Sequence, residues 1–139
     1  MVEDGRSRIG QTESSLGIIP GAGGTQRLPR LIGKAKAQRY IIESTRLSAR
    51  EAEAVGWVDR AVVPAEFEAA VDEQASKLAR AATFAVAMIK DAIHRGYDMR
   101  LEEALEIEAQ NFARAALSTD AAIGIMSFLS KQEPEFTGS

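Results

Sequence analysis

Apolar residues recur every three or four positions along most of the chain after Pro64, and this spacing restricts the fold more than any other feature of the sequence. Such a period places one apolar stripe along a helix. Polar and capping residues divide the run into four segments, so helices are predicted over residues 64–82, 83–97, 100–117 and 118–131. The C-terminal part of the chain is therefore predicted to be a set of amphipathic helices.

The residues that share each stripe form the predicted inner face of that helix. Periodicity alone does not distinguish these segments from a generic helical bundle. In chain order, the four predicted faces are Phe67, Val71, Ala75, Leu78 and Ala82; Val86, Ile89, Ile93 and Tyr97; Leu101, Ala104, Leu105, Glu108 and Phe112; and Ile123, Met126 and Leu129.

The N-terminal part of the chain predicts a mixture of loop, short helix and strand. Residues 9–19 are predicted to be extended and to end at Pro20. The glycine-rich residues 21–25 predict a loop, since glycine adopts backbone angles that other residues resist. Thr25 is predicted to cap a helix that Gly33 closes.

Two further helices and a strand complete this part. A helix is predicted over residues 34–44. Ser48 followed by Glu51 forms a capping box, a fairly specific helix-start signal, and the short helix after it is predicted to end near Val55. Residues 57–63 alternate in polarity and are rich in β-branched side chains, so they predict a short strand.

The composition excludes several classes of function. The formal net charge of −3 argues against binding nucleic acid through a general basic field. The absence of cysteine excludes disulfides and thiolate chemistry, and the one histidine, His94, leaves no spacing for a zinc site. No apolar run approaches the ~20 residues needed to span a bilayer. No signal peptide is visible, so a cytoplasmic location is expected.

Glu13, just ahead of the glycine-rich loop, has two interpretations. A carboxylate near a chain end is usually a solvated surface residue, and this loop lacks the Lys-Ser/Thr of a P-loop. Alternatively, an acid beside a glycine-rich helix start lies near outward-pointing amides, which can hold a water or an anionic oxygen. Such a site suits the addition of water to a polarised double bond, where one carboxylate takes a proton from water and a second gives one to carbon.

The stretch GQTESSLGIIPGAGGTQRLPRLIG, from Gly10 to Gly33, resembles the signature of the crotonase superfamily, and most closely that of enoyl-CoA hydratases. The family pattern is G-Q-P-E, an apolar trio, then G-x-I-P-G-x-G-G-T-Q-R-L. The segment LSAREAEAVGWVDRAVV resembles the family's S-A-x-E-A-x-x-x-G-L-V, and STDAAIGIMSFLSKQEPEF resembles its C-terminal helix and F-x-x-K…P-x-F ending. The resemblance covers nearly the whole chain from Gly10.

This resemblance implies an α/β crotonase-like fold in which a spiral of strands comes before the matched region. Without that spiral, the chain is expected to be mainly α-helical with one or two short strands. Residues 1–63 are expected to be a partial tail of the catalytic core, and residues 64–139 a C-terminal helical oligomerisation region. The chain is expected to begin inside a longer family sequence.

The resemblance also implies a site. Glu13 falls on the second of two glutamates that flank the substrate double bond, and which of the two is acid and which is base stays open. Gly21 matches the position whose backbone amide helps to hold the catalytic water. Phe128 and Lys131 match positions that line the CoA adenine and phosphate region, often on a neighbouring subunit. From the residues alone, Phe128 equally suits a core position and Lys131 a solvated cation at a helix end.

The implied substrate is an acyl-CoA thioester. No separate cofactor is expected, because CoA is part of the substrate, and no metal is expected. A homo-oligomer, either a trimer or a dimer of trimers, is the implied assembly, with neither a membrane nor a nucleic acid as partner.

Departures from the family pattern bear on activity. The first catalytic glutamate and both oxyanion-hole amides are not among these residues, and loss of one such donor costs ~10²–10³ in rate. Little or no hydratase activity is therefore expected of the isolated chain, and the helices at residues 24–55 are expected to expose a broad apolar face. Other departures are Thr12 for the family's proline, Ser14 and Ser15 within the apolar trio, and Glu43-Ser44 in place of Thr-Gly.

Three functions remain open from the sequence. The first is an enoyl-CoA hydratase that contributes half a site, the second an enoyl-CoA isomerase, which can use a single carboxylate, and the third a non-catalytic helical assembly module. The G-Q-x-E spacing favours the hydratase, whereas the acidic balance argues against an RNA-binding role.

Overall fold

The computed structural model describes residues 1–139 and contains seven α-helices, two short 3₁₀-helices and one two-stranded sheet. It divides into two compact units, Met1–Val71 and Asp72–Ser139. The expectation of a mainly helical chain with one or two short strands is confirmed. Among the helices, none is both long and apolar enough to cross a membrane alone; the last two meet the length and composition requirement only as a pair bent by 75°.

The elements follow one another along the chain with short connections. The strands are β1 (Ile9–Gly10) and β2 (Arg46–Leu47), and the 3₁₀-helices cover Glu13–Leu16, here named the Glu13 turn, and Pro64–Glu66. The α-helices are α1 (Gly24–Ile32), α2 (Lys34–Ile42), α3 (Ala49–Ala54), α4 (Phe67–Ala79), α5 (Thr83–Gly96), α6 (Leu101–Ala116) and α7 (Thr119–Ser130).

The core of the first unit lies between α1 and α2. Leu28, Ile32 and Ala37 are buried there, and Tyr40, Ile41, Val55 and Trp57 pack against them. Strands β1 and β2 pair antiparallel, with Ile9 opposite Leu47. This pairing holds the start of the chain beside the segment that follows α2.

The prediction of an extended segment over residues 9–19 is wrong beyond β1. The chain instead coils into the Glu13 turn, because the Thr12 carbonyl accepts hydrogen bonds from both the backbone N–H and the hydroxyl of Ser15, at 3.2 and 2.7 Å. Gly17, with φ 73°, ends this turn in the left-handed region that glycine tolerates.

The predicted strand over residues 57–63 is also wrong. The chain turns back on the end of α3, since the N–H groups of Trp57 and Val58 both donate to the Ala52 carbonyl. Only Val62 makes a strand-like contact, as an isolated parallel bridge to Val2. The predicted Thr25 cap is wrong as well, because α1 begins after Gly23, which is its N-cap at φ 87°.

The capping box is confirmed. The Ser48 hydroxyl accepts from the Glu51 N–H at 3.3 Å, and the Glu51 carboxylate accepts from the Ser48 N–H at 2.8 Å. These reciprocal bonds satisfy two backbone donors at the start of α3. The helix ends at Ala54, one residue before the predicted Val55.

In the second unit, α5 packs on α6 through a face that differs from the predicted one. Ile107 and Asn111 are the buried residues of α6. Ala104 lies on the same side, where a Cβ at Gly96 of α5 would come within 3.1 Å of it. The other four residues of the predicted face are exposed instead, with Leu101 and Phe112 each 73% accessible. Small and medium residues allow the close approach of the two helices, which leaves the larger side chains outside.

The last residues of the chain fold back onto the start of α7. Asp120 is only 2% exposed. Its carboxylate accepts from the N–H groups of Thr137 and Gly138, at 2.6 and 2.9 Å. The Asp120 N–H donates in turn to the Ser139 carbonyl at 2.9 Å. The tail is thus anchored at a helix N-terminus, where a carboxylate is favoured.

Candidate functional site

Glu13 is the first residue of the Glu13 turn, and its carboxylate is unusual in the molecule. Its Oε2 atom is buried and has no hydrogen-bond partner. Buried polar atoms almost always have a partner, because an unsatisfied one forfeits its hydration without compensation. An unpartnered carboxylate oxygen is therefore typical of a group whose partner is a ligand or a water.

The glycine-rich loop follows the Glu13 turn and leads into α1. Pro20 is buried, whereas Gly21 is exposed and faces open space where a side chain would project. The Gly21 N–H donates none of the hydrogen bonds within the chain. A free N–H just before a helix start is suited to hold an oxygen atom of a ligand.

Gln11 brings the two parts of this site together, although sequence reasoning assigned it no role. A Cβ at Gly24 would lie 2.5 Å from Gln11 Oε1 and 2.7 Å from Pro20 Cβ. The Gln11 side chain therefore lies directly against the first residue of α1. Because Gln11 precedes Glu13 by only two positions, this contact holds the Glu13 segment beside the glycine-rich loop. The G-Q that this chain shares with the family pattern was the available signal.

The Glu13 turn is also attached to the C-terminal end of α2. The Ser14 hydroxyl donates to the Ile41 carbonyl at 2.6 Å and lies 2.7 Å from the Ser44 hydroxyl. The two serines after Glu13, which disfavour a strand, thus suit the 3₁₀-helix that is present. Ser44, which the sequence identified only as a departure from the family pattern, has φ 51° in a position where glycine is usual.

Phe128 and Lys131 belong to the second unit, whereas Glu13 and Gly21 belong to the first. Phe128 is 83% exposed near the end of α7, so it is not a core residue of this chain. Lys131 is the C-cap of α7 at φ 55° and is exposed. Both side chains are accessible to a ligand or to another polypeptide.

Exposed apolar side chains directly follow Glu13. Leu16 and Ile19 are 76% and 73% accessible, and Ile18 is exposed between them. An apolar patch of this kind marks a surface suited to an apolar ligand or to another protein surface. No group of three or more His, Asp or Glu side chains is placed to hold a metal ion.

Comparison with known proteins gives a consistent result. A family model for enoyl-CoA hydratase/isomerase matches residues 1–139. The short-chain-enoyl-CoA hydratase of Clostridium acetobutylicum is 35% identical over 134 residues, which are 96% of this chain and 51% of that protein. A protein of the same name from Clostridioides difficile is 38% identical over 127 residues, covering 91% of this chain and 82% of that protein.

Solved structures show the same similarity in three dimensions. The enoyl-CoA hydratase of Bacillus anthracis superposes with a TM-score of 0.91 at 38% identity, covering 99% of this chain and 53% of that one. That of Geobacillus kaustophilus HTA426 superposes with a TM-score of 0.92 at 39% identity, covering 100% and 52%. The chain thus spans about half the length of most of the proteins that it matches.

Proposed function

Because this chain belongs to the enoyl-CoA hydratase/isomerase family, we propose that it supplies one half of a site that adds water to a 2-enoyl-CoA thioester. The observation that carries this proposal is the buried, unpartnered Oε2 of Glu13, two positions after the Gln11 side chain that lies against the start of α1. Relatives named as enoyl-CoA hydratases support the reaction class. In a syn addition, the water oxygen bonds to the β-carbon and a proton is delivered to the carbon next to the thioester carbonyl.

In this reaction Glu13 is one of two carboxylates that move protons. One of them takes a proton from the attacking water, and the other gives a proton to the α-carbon as the double bond is lost. The exposed N–H of Gly21 is the proposed donor that holds the water. A second carboxylate and the amides that stabilise the thioester enolate are proposed to come from polypeptide equivalent to the part of the relatives that this chain does not match.

The CoA portion of the substrate is proposed to meet the end of α7. Lys131 offers a cation to a phosphate group, and the exposed ring of Phe128 offers a surface on which an adenine can stack. The two residues lie three positions apart across the last turn of α7. Their roles are proposed for an assembled enzyme, in which another subunit contributes the remaining contacts.

The test is an assay of crotonyl-CoA hydration, which is monitored as the loss of the conjugated enoyl absorbance. The purified chain is assayed alone and after mixing with the part of the C. acetobutylicum hydratase that lies outside the match. We expect measurable hydration only in the mixture, with Glu13→Gln reducing the rate ~10²–10⁴-fold because a proton-transfer group is lost. No hydration by a folded mixture, or an unchanged rate with Glu13→Gln, contradicts the proposal.

An isomerase is the second enzymatic candidate, since moving a double bond requires only one carboxylate to shuttle a proton. The single carboxylate at this site supports it. The same mixture assayed with a 3-enoyl-CoA separates the two reactions, because an isomerase develops conjugated absorbance where a hydratase consumes it.

A non-catalytic assembly module is the third candidate, and the exposed apolar faces of α6 and α7 support it. Light scattering provides the test. A compact monomer at micromolar concentration contradicts this alternative, whereas a defined oligomer without activity in either assay supports it.

A further inference from the structure

We propose that the hydroxyl pair Ser14–Ser44 positions Glu13 for proton transfer, an inference that rests on the proposed role of Glu13. Neither serine reaches the reacting atoms in this proposal. They act by fixing the backbone that carries the carboxylate. The two residues are 30 positions apart in sequence, and both depart from the family pattern.

The hydrogen bonds around the pair form a continuous chain. The Ser15 N–H donates to Ser44 Oγ at 3.1 Å. Ser14 Oγ lies 2.7 Å from Ser44 Oγ and 2.6 Å from the Ile41 carbonyl oxygen. Since each hydroxyl has one proton, these contacts are all satisfied when Ser44 donates to Ser14 and Ser14 donates to Ile41. Hydrogen bonds arranged in this order polarise and strengthen one another.

The pair joins the Glu13 turn to the C-terminal end of α2. At the end of α2, the N–H of Ser44 donates to the Ile41 carbonyl at 3.2 Å and the N–H of Thr45 donates to the Tyr40 carbonyl at 2.9 Å. This pattern normally has glycine at the Ser44 position, because the backbone there is left-handed. A glycine would relieve the backbone at φ 51° but would remove the hydroxyl that contacts Ser14. The strained serine is therefore explained by its side-chain contacts.

The consequence for Glu13 follows from its place in the chain. The Thr12 carbonyl accepts from Ser15, and the Glu13 carbonyl accepts from the N–H of Ile18 at 3.3 Å. With Ser14 tied to α2, the backbone is fixed on both sides of the Glu13 Cα atom. The backbone position from which the carboxylate projects is then fixed, and from that position Oε2 is buried. Loss of either hydroxyl frees the turn, and small misplacements of a catalytic group reduce rate strongly.

The first test uses the full chain and needs no activity. Glutamate side-chain carboxyls are labelled with ¹³C, and the Glu13 signal is assigned with Glu13→Gln. We expect Ser14→Ala and Ser44→Gly each to move the Glu13 signal towards those of the exposed glutamates. The double variant moves it no further than Ser14→Ala, because both changes break one linked set of bonds. Ser14→Thr, which keeps the hydroxyl, retains the wild-type signal.

Ser76→Ala is the matched control, since Ser76 is an exposed serine on α4. It leaves the Glu13 signal in place. Helix content measured by circular dichroism identifies variants that do not fold, and Ser44→Gly, which relieves the backbone, keeps the test available if Ser14→Ala unfolds. An unmoved Glu13 signal in both folded variants, or additive shifts in the double variant, overturns the proposal.

The second test uses the active mixture described for crotonyl-CoA. Ser14→Ala is expected to lower kcat by ~10–10²-fold with KM unchanged, because orientation is lost while substrate contacts remain. Ser14→Thr restores kcat. If the wild-type mixture is inactive, the proposed function fails, and the carboxyl signal still decides whether the serines orient Glu13. An active mixture in which Ser14→Ala has wild-type kcat overturns the positioning role.

Discussion

At the scale of residues, Glu13 and Asp120 show how hydrogen-bond partners distinguish two carboxylates of this chain. Glu13 keeps a buried oxygen with no hydrogen-bond partner. Asp120 is 2% exposed, and its carboxylate accepts from the N–H groups of Thr137 and Gly138. A fully satisfied buried carboxylate is typical of a structural anchor, whereas an unsatisfied one suits a ligand. The same side-chain chemistry therefore supports a proposed reaction in one unit and stability in the other.

Asp120 leads to a prediction about the C-terminal tail. Asp120→Ala removes the acceptor of two backbone donors, so we expect a loss of about 2–3 kcal/mol in the free energy of unfolding. The amides of Thr137 and Gly138 are expected to exchange hydrogen faster. Urea unfolding and hydrogen exchange measure both effects. Glu135→Gln, on the exposed part of the same tail, is the control. A variant as protected as the wild type contradicts the anchoring role.

Gly24 leads to a second prediction at this scale. A methyl group there meets Gln11 Oε1 at 2.5 Å and Pro20 Cβ at 2.7 Å. Gly24→Ala is therefore expected to lower the free energy of unfolding by about 1–3 kcal/mol, as overpacking does. Gly21→Ala is the matched control, because nothing lies within 4 Å of its added Cβ. We expect the control to change stability by no more than about 0.5 kcal/mol. Equal effects of the two substitutions in a denaturant titration would disprove this contact.

At the scale of elements, side-chain bonds at helix ends decide where several segments begin and stop. The Glu13 turn exists because Ser15 bonds back to Thr12, and α3 begins at the capping box. In both elements, side-chain oxygens bond to backbone groups at the start of a short helix. These local bonds place the elements that surround the candidate site.

The capping box predicts a pH dependence for α3. The pKa of Glu51 is lowered from 4.5, first by the hydrogen bond from the Ser48 N–H and then by the one from the Ser48 hydroxyl. A lowered pKa in the folded state means that the stabilisation is present above the unfolded pKa and is lost as pH falls through the folded pKa. We expect amide protection in α3, measured relative to Glu51→Gln, to fall as pH decreases below about 4.5.

The comparison with Glu51→Gln removes the intrinsic effect of pH on exchange, since both chains share it. Glutamine still accepts a hydrogen bond but does not titrate. If the ratio of protection between the two chains does not change from pH 6 to pH 3, the carboxylate is not the source of the pH dependence.

Elements whose signals are local could be predicted from the sequence. Features that depend on contacts between distant segments could not. The ranges of α5, α6 and α7 follow from periodicity and agree within two residues. The buried face of α6 does not follow from periodicity, because Asn111 is polar and is expected from its residue type to be at the surface. In the structure it is 4% exposed, with its side-chain amide donating to Asp91 at 2.8 Å. Hydrophobicity alone gives no indication of such a partner.

In the candidate site, too, residues of one continuous stretch could be predicted, whereas a contact between distant segments could not. Glu13 and Gly21 were identified from a resemblance in one continuous stretch. Ser44 was recognised only as a departure from the pattern, because its contact with Ser14 joins segments 30 positions apart. A single sequence contains no direct signal for a hydroxyl pair of this kind.

At the scale of the whole molecule, the chain leaves much apolar surface accessible. Exposed apolar side chains occur in both units, including Ile19 in the first and Leu117 in the second. Surface of this kind is usually covered by another polypeptide.

Self-association is the corresponding prediction. At micromolar concentration we expect light scattering to report species larger than a monomer, and an apolar-surface dye to bind. The double variant Leu105→Lys/Phe112→Lys places charge on the exposed face of α6 and is expected to increase the monomer fraction several-fold, because charge desolvation opposes association. Glu106→Lys/Gln110→Lys, on exposed polar positions of the same helix, is the control. Monomeric wild-type protein without dye binding contradicts this prediction.

The contact of Trp57 with the Leu28, Ile32 and Ala37 cluster has a practical consequence. Trp57 is the one tryptophan of the chain, so fluorescence excited selectively at tryptophan is a spectroscopic reporter for the first unit alone. Far-ultraviolet circular dichroism, in contrast, is weighted towards the long helices of the second unit. Melting curves recorded with the two signals will coincide if both units lose structure cooperatively, and will separate if each melts at its own temperature.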